Sequence, residues 1–177
     1  MFSGVAAMLA PGLFVWGKFV DVPDDAAIVE AVGQQWHWSF RFPGEDGELG
    51  HSDSTLITPE NPFGLDPDDP KGGDDVLRLG LRPALEGERV YVAGHGGDVQ
   101  ALEIANGRVV WRTDTKLELS GGPAVGEGIV VVGATGGDLV ALDAGSGTER
   151  WRVATGGEVL TAPTIAGGLV VVRTVDG

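Results

Sequence analysis

Short apolar runs, broken by Gly-rich turns, recur at a constant spacing along the second half of the chain. Val90-Tyr91-Val92-Ala93-Gly94 lies over Val130-Val131-Val132-Gly133-Ala134, and Gly97-Asp98 lies over Gly137-Asp138. Ala101-Leu102 falls on Ala141-Leu142, Gly107 on Gly147, and Trp111-Arg112 on Trp151-Arg152. The offset is 40 throughout, with no gap, and both Leu79, Leu119, Val159 and Pro83, Pro123, Pro163 keep the same step. A fixed period of this length marks a repeat architecture. Within one period the pattern predicts four short strands. Leu79–Leu85 ends in a Pro-containing turn, which suits a strand end. Arg89–Gly94 is β-branched and aromatic, and His95-Gly96-Gly97 is a turn. Asp98–Glu103 alternates polar and apolar residues, as a half-buried strand does. Asn106-Gly107 is a strong hairpin signal, and Arg108–Asp114 carries Trp111. Four strands in about 40 residues make a propeller blade. The abundant Gly and β-branched residues argue against a helical solenoid. The expected fold is all-β, with four-stranded antiparallel blades at 79–118 and 119–158 and part of a third at 159–177. That is about two and a half blades, where propellers have four to eight.

The phrase Ala-Leu-x-x-x-x-Gly-x-x-x-Trp at Ala101–Trp111 and Ala141–Trp151 resembles the blade signature of the quinoprotein-type (PQQ-like) propellers. Arg82–Leu85, Val90–Ala93 and Gly157–Pro163 narrow the resemblance to the BamB family, propeller lipoproteins of the outer-membrane barrel-assembly machinery. It covers Leu79–Gly177. It implies a non-catalytic scaffold that contacts other assembly proteins, in the periplasm or cell envelope of a Gram-negative bacterium. The chain departs from that family in having no cysteine to carry a lipid anchor.

Residues 1–78 read differently. Met1–Gly17 has no charged residue, which is the low edge of length for a membrane span. No basic region precedes it, as a signal peptide would require. It is either the end of a membrane helix, giving membrane association through residues 1–17, or an apolar segment of no defined role. Further on, Trp36, Trp38, Phe40 and Phe42 alternate with polar residues, which places four aromatics on one face of a strand. The plainest reading is an aromatic strand packed on a core. Gly33–Phe42 with Pro43–Gly50, Leu9–Trp16 and Asn61–Pro70 together resemble cytochrome c oxidase subunit II over about Met1–Leu77. That resemblance implies electron entry at Trp36, the first Trp of the Trp-x-Trp motif. It also implies a dinuclear copper centre further along the subunit, held partly by two Cys, and this chain has none.

Charge separates the same two parts. Net charge is −14, and residues 1–78 hold 14 acids against 4 bases while residues 79–177 hold 12 against 8. An acidic chain is a poor match for nucleic acid or an anionic membrane surface. The absence of Cys excludes disulfides, thiolate metal sites and Cys nucleophiles.

Few residues suggest chemistry. His37, His51 and His95 are too widely spaced for a metal motif, with His37 expected to be exposed and away from the Trp face. Asp66–Asp75 is acid-rich, but Pro67 and Pro70 intrude and the closing Glu of a calcium loop is missing, so a solvated loop over about 60–78 is expected. Gly94–Gly97 and Gly133–Gly137 neither lead into Gly-Lys-Ser/Thr nor open a helix, and they recur at the repeat period, so they are turns. No Ser–His–Asp set stands out, and no cofactor is signalled. Trp111, Trp151, Gly107 and Gly147 are expected as structural blade positions, each Trp packing on the neighbouring blade.

Three functions are in play. The first is the BamB-like scaffold. The second is an oxidase-subunit fragment without its copper site. The third is a quinone-dependent dehydrogenase on the same repeat, which would need an axial cofactor pocket and calcium ligands. A partial ring leaves blade faces and strand edges open, which favours self-association. Both parts read as pieces, so a chimera or a truncated reading frame is the expectation.

Overall fold

The computed structural model describes residues 16–17, 20–23, 26–35 and 37–176. The expectation for Met1–Gly17 falls outside these residues except at Trp16 and Gly17, and Trp36 lies outside them altogether. Among the described residues no helix is long and apolar enough to cross a membrane.

Three strands form the first sheet: β1 (Glu30–Gln34), β2 (His37–Phe42) and β3 (Val76–Gly80), in the order β1-β2-β3 and antiparallel throughout. Residues 43–75 leave β2 and return to β3. They contain two short 3-10 turns, Ser54–Leu56 and Pro70–Asp74, whose amides are capped by the Asp53 and Asp69 carboxylates.

Blade 1 follows, with β4 (Ala84–Glu86), β5 (Arg89–Ala93), β6 (Asp98–Glu103) and β7 (Val109–Asp114) in sequential order. Blade 2 repeats it with β8 (Leu119–Gly126), β9 (Ile129–Ala134), β10 (Asp138–Asp143) and β11 (Glu149–Ala154). Two strands of a third blade, β12 (Thr164–Ala166) and β13 (Leu169–Val171), form a separate pair. The repeat reaches into irregularities of the ladder. A register shift between Ala101 and Leu102 recurs between Ala141 and Leu142.

The middle strands are apolar on both faces because each blade is covered on both sides. Val90 and Val92 face the first sheet, while Tyr91 and Ala93 face blade 2. One period later, Val130 and Val132 face blade 1, and Val131 faces the third blade. Three apolar layers result, one at each junction between successive sheets.

Two local expectations need amendment. Asn106-Gly107 does not form a two-residue turn with both residues left-handed, because only Gly107 has positive φ. The loop is longer: Gly107 N–H donates to Glu103 O, and Glu103 N–H donates to Arg108 O. Leu79–Leu85 is also not one strand. Residues 76–80 pair with β2, then Leu81 N–H donates to Ala93 O and Ala84–Glu86 pair with β5. The chain is handed from one sheet to the next.

Candidate functional site

The features that organise this protein are its junctions between sheets, and each junction is built around a glycine. Gly147 closes the loop after β10, with φ +73° and its N–H donating to Asp143 O. Any Cβ there would sit 2.5 Å from Cε3 of Trp111. The indole therefore occupies the side-chain space that Gly147 leaves empty. Trp111 is 8% exposed, and its Nε1 donates to Ala144 O at 3.0 Å. That carbonyl also accepts from Arg89 Nη1 at 3.0 Å and Tyr91 OH at 3.3 Å. The Tyr91 and Trp111 rings lie 6.0 Å apart at 46°. Three donors from blade 1 thus converge on one carbonyl of blade 2, within an apolar layer that strengthens each bond.

Gly107, one period earlier, has φ +68°. A Cβ there would lie 2.7 Å from Cγ of Phe42, on the first sheet. Trp151, the repeat partner of Trp111, is half-buried and packs on the layer shared with Val159, Ile165 and Val170. Of the four blade positions read from the sequence, the structure brings Trp111 and Gly147 together. It places Gly107 against Phe42 and Trp151 against the third blade.

Behind Phe42, on the outer face of the first sheet, Arg41 is buried at 1% exposure. Its Nε donates to Glu30 Oε2 at 2.8 Å, its Nη2 to Ser52 Oγ at 3.0 Å, and its Nη1 to Gly50 O at 3.1 Å and Asp75 Oδ2 at 3.2 Å. The guanidinium also lies 5.7 Å from the centre of the Phe63 ring. Asp75 accepts from Gly50 N–H at 3.1 Å, and burial raises its carboxyl above the ordinary value against the pull of that bond and of Arg41. The acid-rich loop is therefore not solvated throughout, because its last residue is drawn inside by Arg41. Nothing in the sequence singles out Arg41 or Asp75, since a pair 34 residues apart has no local pattern.

The histidines are dispersed. His37 is half-buried rather than exposed, with Nε2 2.9 Å from Gln34 Oε1, an oxygen that also accepts from Ser39 Oγ at 2.7 Å. This trio lines a cleft of about 450 Å³ with Pro59, Leu77 and Leu79. His95 Nδ1 lies 2.9 Å from Leu119 O, in the turn between β5 and β6. Among the described residues no three His, Asp or Glu side chains converge in a way that could hold a metal ion.

Comparison with known proteins fits this geometry. The curated relative alternative cytochrome c oxidase subunit 2 of Bradyrhizobium diazoefficiens is 68% identical over 74 residues, which is 42% of this chain and 27% of that protein. The outer membrane protein assembly factor BamB of Alkalilimnicola ehrlichii is 48% identical over 46 residues, 26% of this chain and 12% of its own. The chain thus spans about a quarter or less of the length of these curated relatives. The crystal structure of BamB from Moraxella catarrhalis superposes with a TM-score of 0.50 at 28% identity, covering 53% of this chain and 29% of that one. A family profile described as outer membrane protein assembly factor BamB matches residues 65–114 and 95–177. With matched segments spanning more than half of its length, and with four-stranded blades joined ring to glycine, the chain belongs to the BamB family of PQQ-like repeat propellers.

Proposed function

We propose that this protein is a non-catalytic propeller scaffold that binds other proteins in outer-membrane protein assembly, as the BamB relatives' printed role suggests. The observation that carries this reading is the junction chemistry. Trp111 and Gly147, which the repeat fixes, are committed with Tyr91 and Ala144 to packing one blade on the next. Such a framework leaves its loops and blade edges for partners. In this reading residues 79–177 form the partner-binding part, and residues 1–78 form a second segment of different origin, with residues 1–17 offering membrane association. The expected setting is the periplasm or cell envelope. Leu169 and Val171 on the two-stranded third blade are exposed, which supports self-association there.

The test is binding of the full chain to a purified barrel-assembly complex stripped of its own BamB, measured by surface plasmon resonance. Saturable binding supports the scaffold. A folded chain, by circular dichroism, that does not bind at about 100 µM would reject it, because that is weaker than most specific protein pairs.

A second reading has one observation of its own, the 68% identity to an oxidase subunit. It would assign electron entry to Trp36. The chain has no Cys to furnish the copper ligands that its family uses. Binding of cytochrome c to the full chain and to its Trp36→Ala variant, measured by surface plasmon resonance, distinguishes the two: saturable binding that the variant loses supports this second reading, and no binding rejects it.

A further inference from the structure

The junction before blade 1 is built like the junction after it, although the sequence there is not part of the repeat. In blade 2, Val130, Val132 and Leu142 pack in one layer with Trp111 of the preceding blade. Stepping back 40 residues gives Val90, Val92 and Leu102 of blade 1, and these three pack in one layer with Phe40 and Phe42 of the first sheet. The same three blade positions receive a sheet in both cases. The glycine that receives the ring is also the same, Gly107 for Gly147, with φ +68° and +73°. The clearance is the same too, with Cβ-to-ring distances of 2.7 and 2.5 Å.

The ring itself comes from elsewhere. The repeat step from Trp111 falls on Lys71, an exposed residue paired with Glu48 on the surface. Phe42 is 0% exposed and fills the place instead. It stands at the end of β2, between Val76 of β3 and the blade. The outer face of this sheet differs from its inner face. There Arg41, Glu30, Asp75 and Ser52 form an ionic and hydrogen-bonded cluster, beside the exposed Leu77 and Leu79.

We propose that residues 30–80 serve in this chain as a propeller blade. The docking face of blade 1 accepts a three-stranded sheet carrying an aromatic ring at Phe42; β1 and β2 of that sheet lie in the oxidase-like segment, and β3 lies within the residues that the BamB profile matches. The sheet's role here is to seal the first apolar layer and to join the two halves into one cooperative unit. This goes beyond the scaffold reading and stands whether or not the propeller binds assembly proteins.

Hydrogen–deuterium exchange on the full chain tests it, peptide by peptide. In Phe42→Leu, amides of His37–Phe42 and of Val90–Leu102 should lose protection together, each exchanging about tenfold faster or more, as expected of one cooperative unit. In Gly107→Ala, a change made on the blade side, the amides of His37–Phe42 should speed up as well. If Phe42→Leu loosens His37–Phe42 while Val90–Leu102 stays as slow as in the parent, the first sheet is an appendage and the proposal fails. It fails equally if Gly107→Ala loosens only blade 1.

Discussion

Trp111 and Gly147, on consecutive blades, share one side-chain volume: the indole fills it because the glycine does not. Neither residue can be changed without consequence for the other. Trp111→Ala removes the whole buried indole and opens a cavity, and is expected to cost about 3–5 kcal/mol. Gly147→Ala forces a methyl group toward the indole at a left-handed φ and should cost about 1–3 kcal/mol or more. In the double variant the clash has no partner, so the two costs should sum to more than the double variant loses. Urea melts of the four proteins give this coupling directly.

The Arg41 layer carries a second expectation. Arg41→Ala leaves Asp75 buried without its charge partner and Gly50 O and Ser52 Oγ without their donor. Removing one partner of a buried ion pair costs about 3–5 kcal/mol. Arg41→Lys should recover little of this, because one ammonium cannot reach the forked set of acceptors. The urea midpoints of the two variants check both statements.

A gain is expected at Lys116. This residue has φ 62°, and its repeat partner is Gly156 with φ +85°. A left-handed backbone strains a residue with a Cβ by roughly 1–2 kcal/mol, and glycine relieves the strain at some cost in unfolded-state entropy. The exposed pair of Lys116 with Asp114 contributes little in water. Lys116→Gly should therefore raise the thermal midpoint slightly, by up to about 1 kcal/mol in stability. A fall in the midpoint would contradict the account.

Acid should act through Asp143. Its hydrogen bond to Arg150, then those from Ser146, hold the carboxyl down at about 2, from an ordinary 3.8. A depressed acid stabilises the fold above its unfolded value and loses that contribution as pH falls through its folded value. The difference in urea midpoint between parent and Asp143→Asn should shrink as pH drops from about 4 to about 2. Asp75 works in the opposite sense. Burial raises it, so its contribution is present at low pH and is lost as pH rises above the ordinary carboxylate range. Asp75→Asn should remove that loss.

The propeller blades were legible because each is a local unit whose pattern recurs. Every strand from Arg89 to Ala154 falls within a residue or two of the run that predicts it. The junctions were legible only where the repeat continues on both sides, as at Trp111 and Gly147. At the first junction the step leads to Lys71, and the true partner, Phe42, comes from a sheet with no place in the period. Phe42 belongs to an aromatic face in the sequence, but its target is hidden because the contact spans 65 residues of unrelated sequence. Leu79 shows the converse. Its repeat partners Leu119 and Val159 are 1% and 0% exposed, and Leu79 is 68% exposed. Pairing with Ser39 of β2 turns it to the outer face of the first sheet.

The passage from β3 to β4 has a mechanical consequence. Gly80 is paired with Trp38 on one sheet, and the next residue, Leu81, donates to Ala93 on the other. No slack separates the two ladders, so a pull that draws the halves apart loads both of them in shear before any free chain can extend.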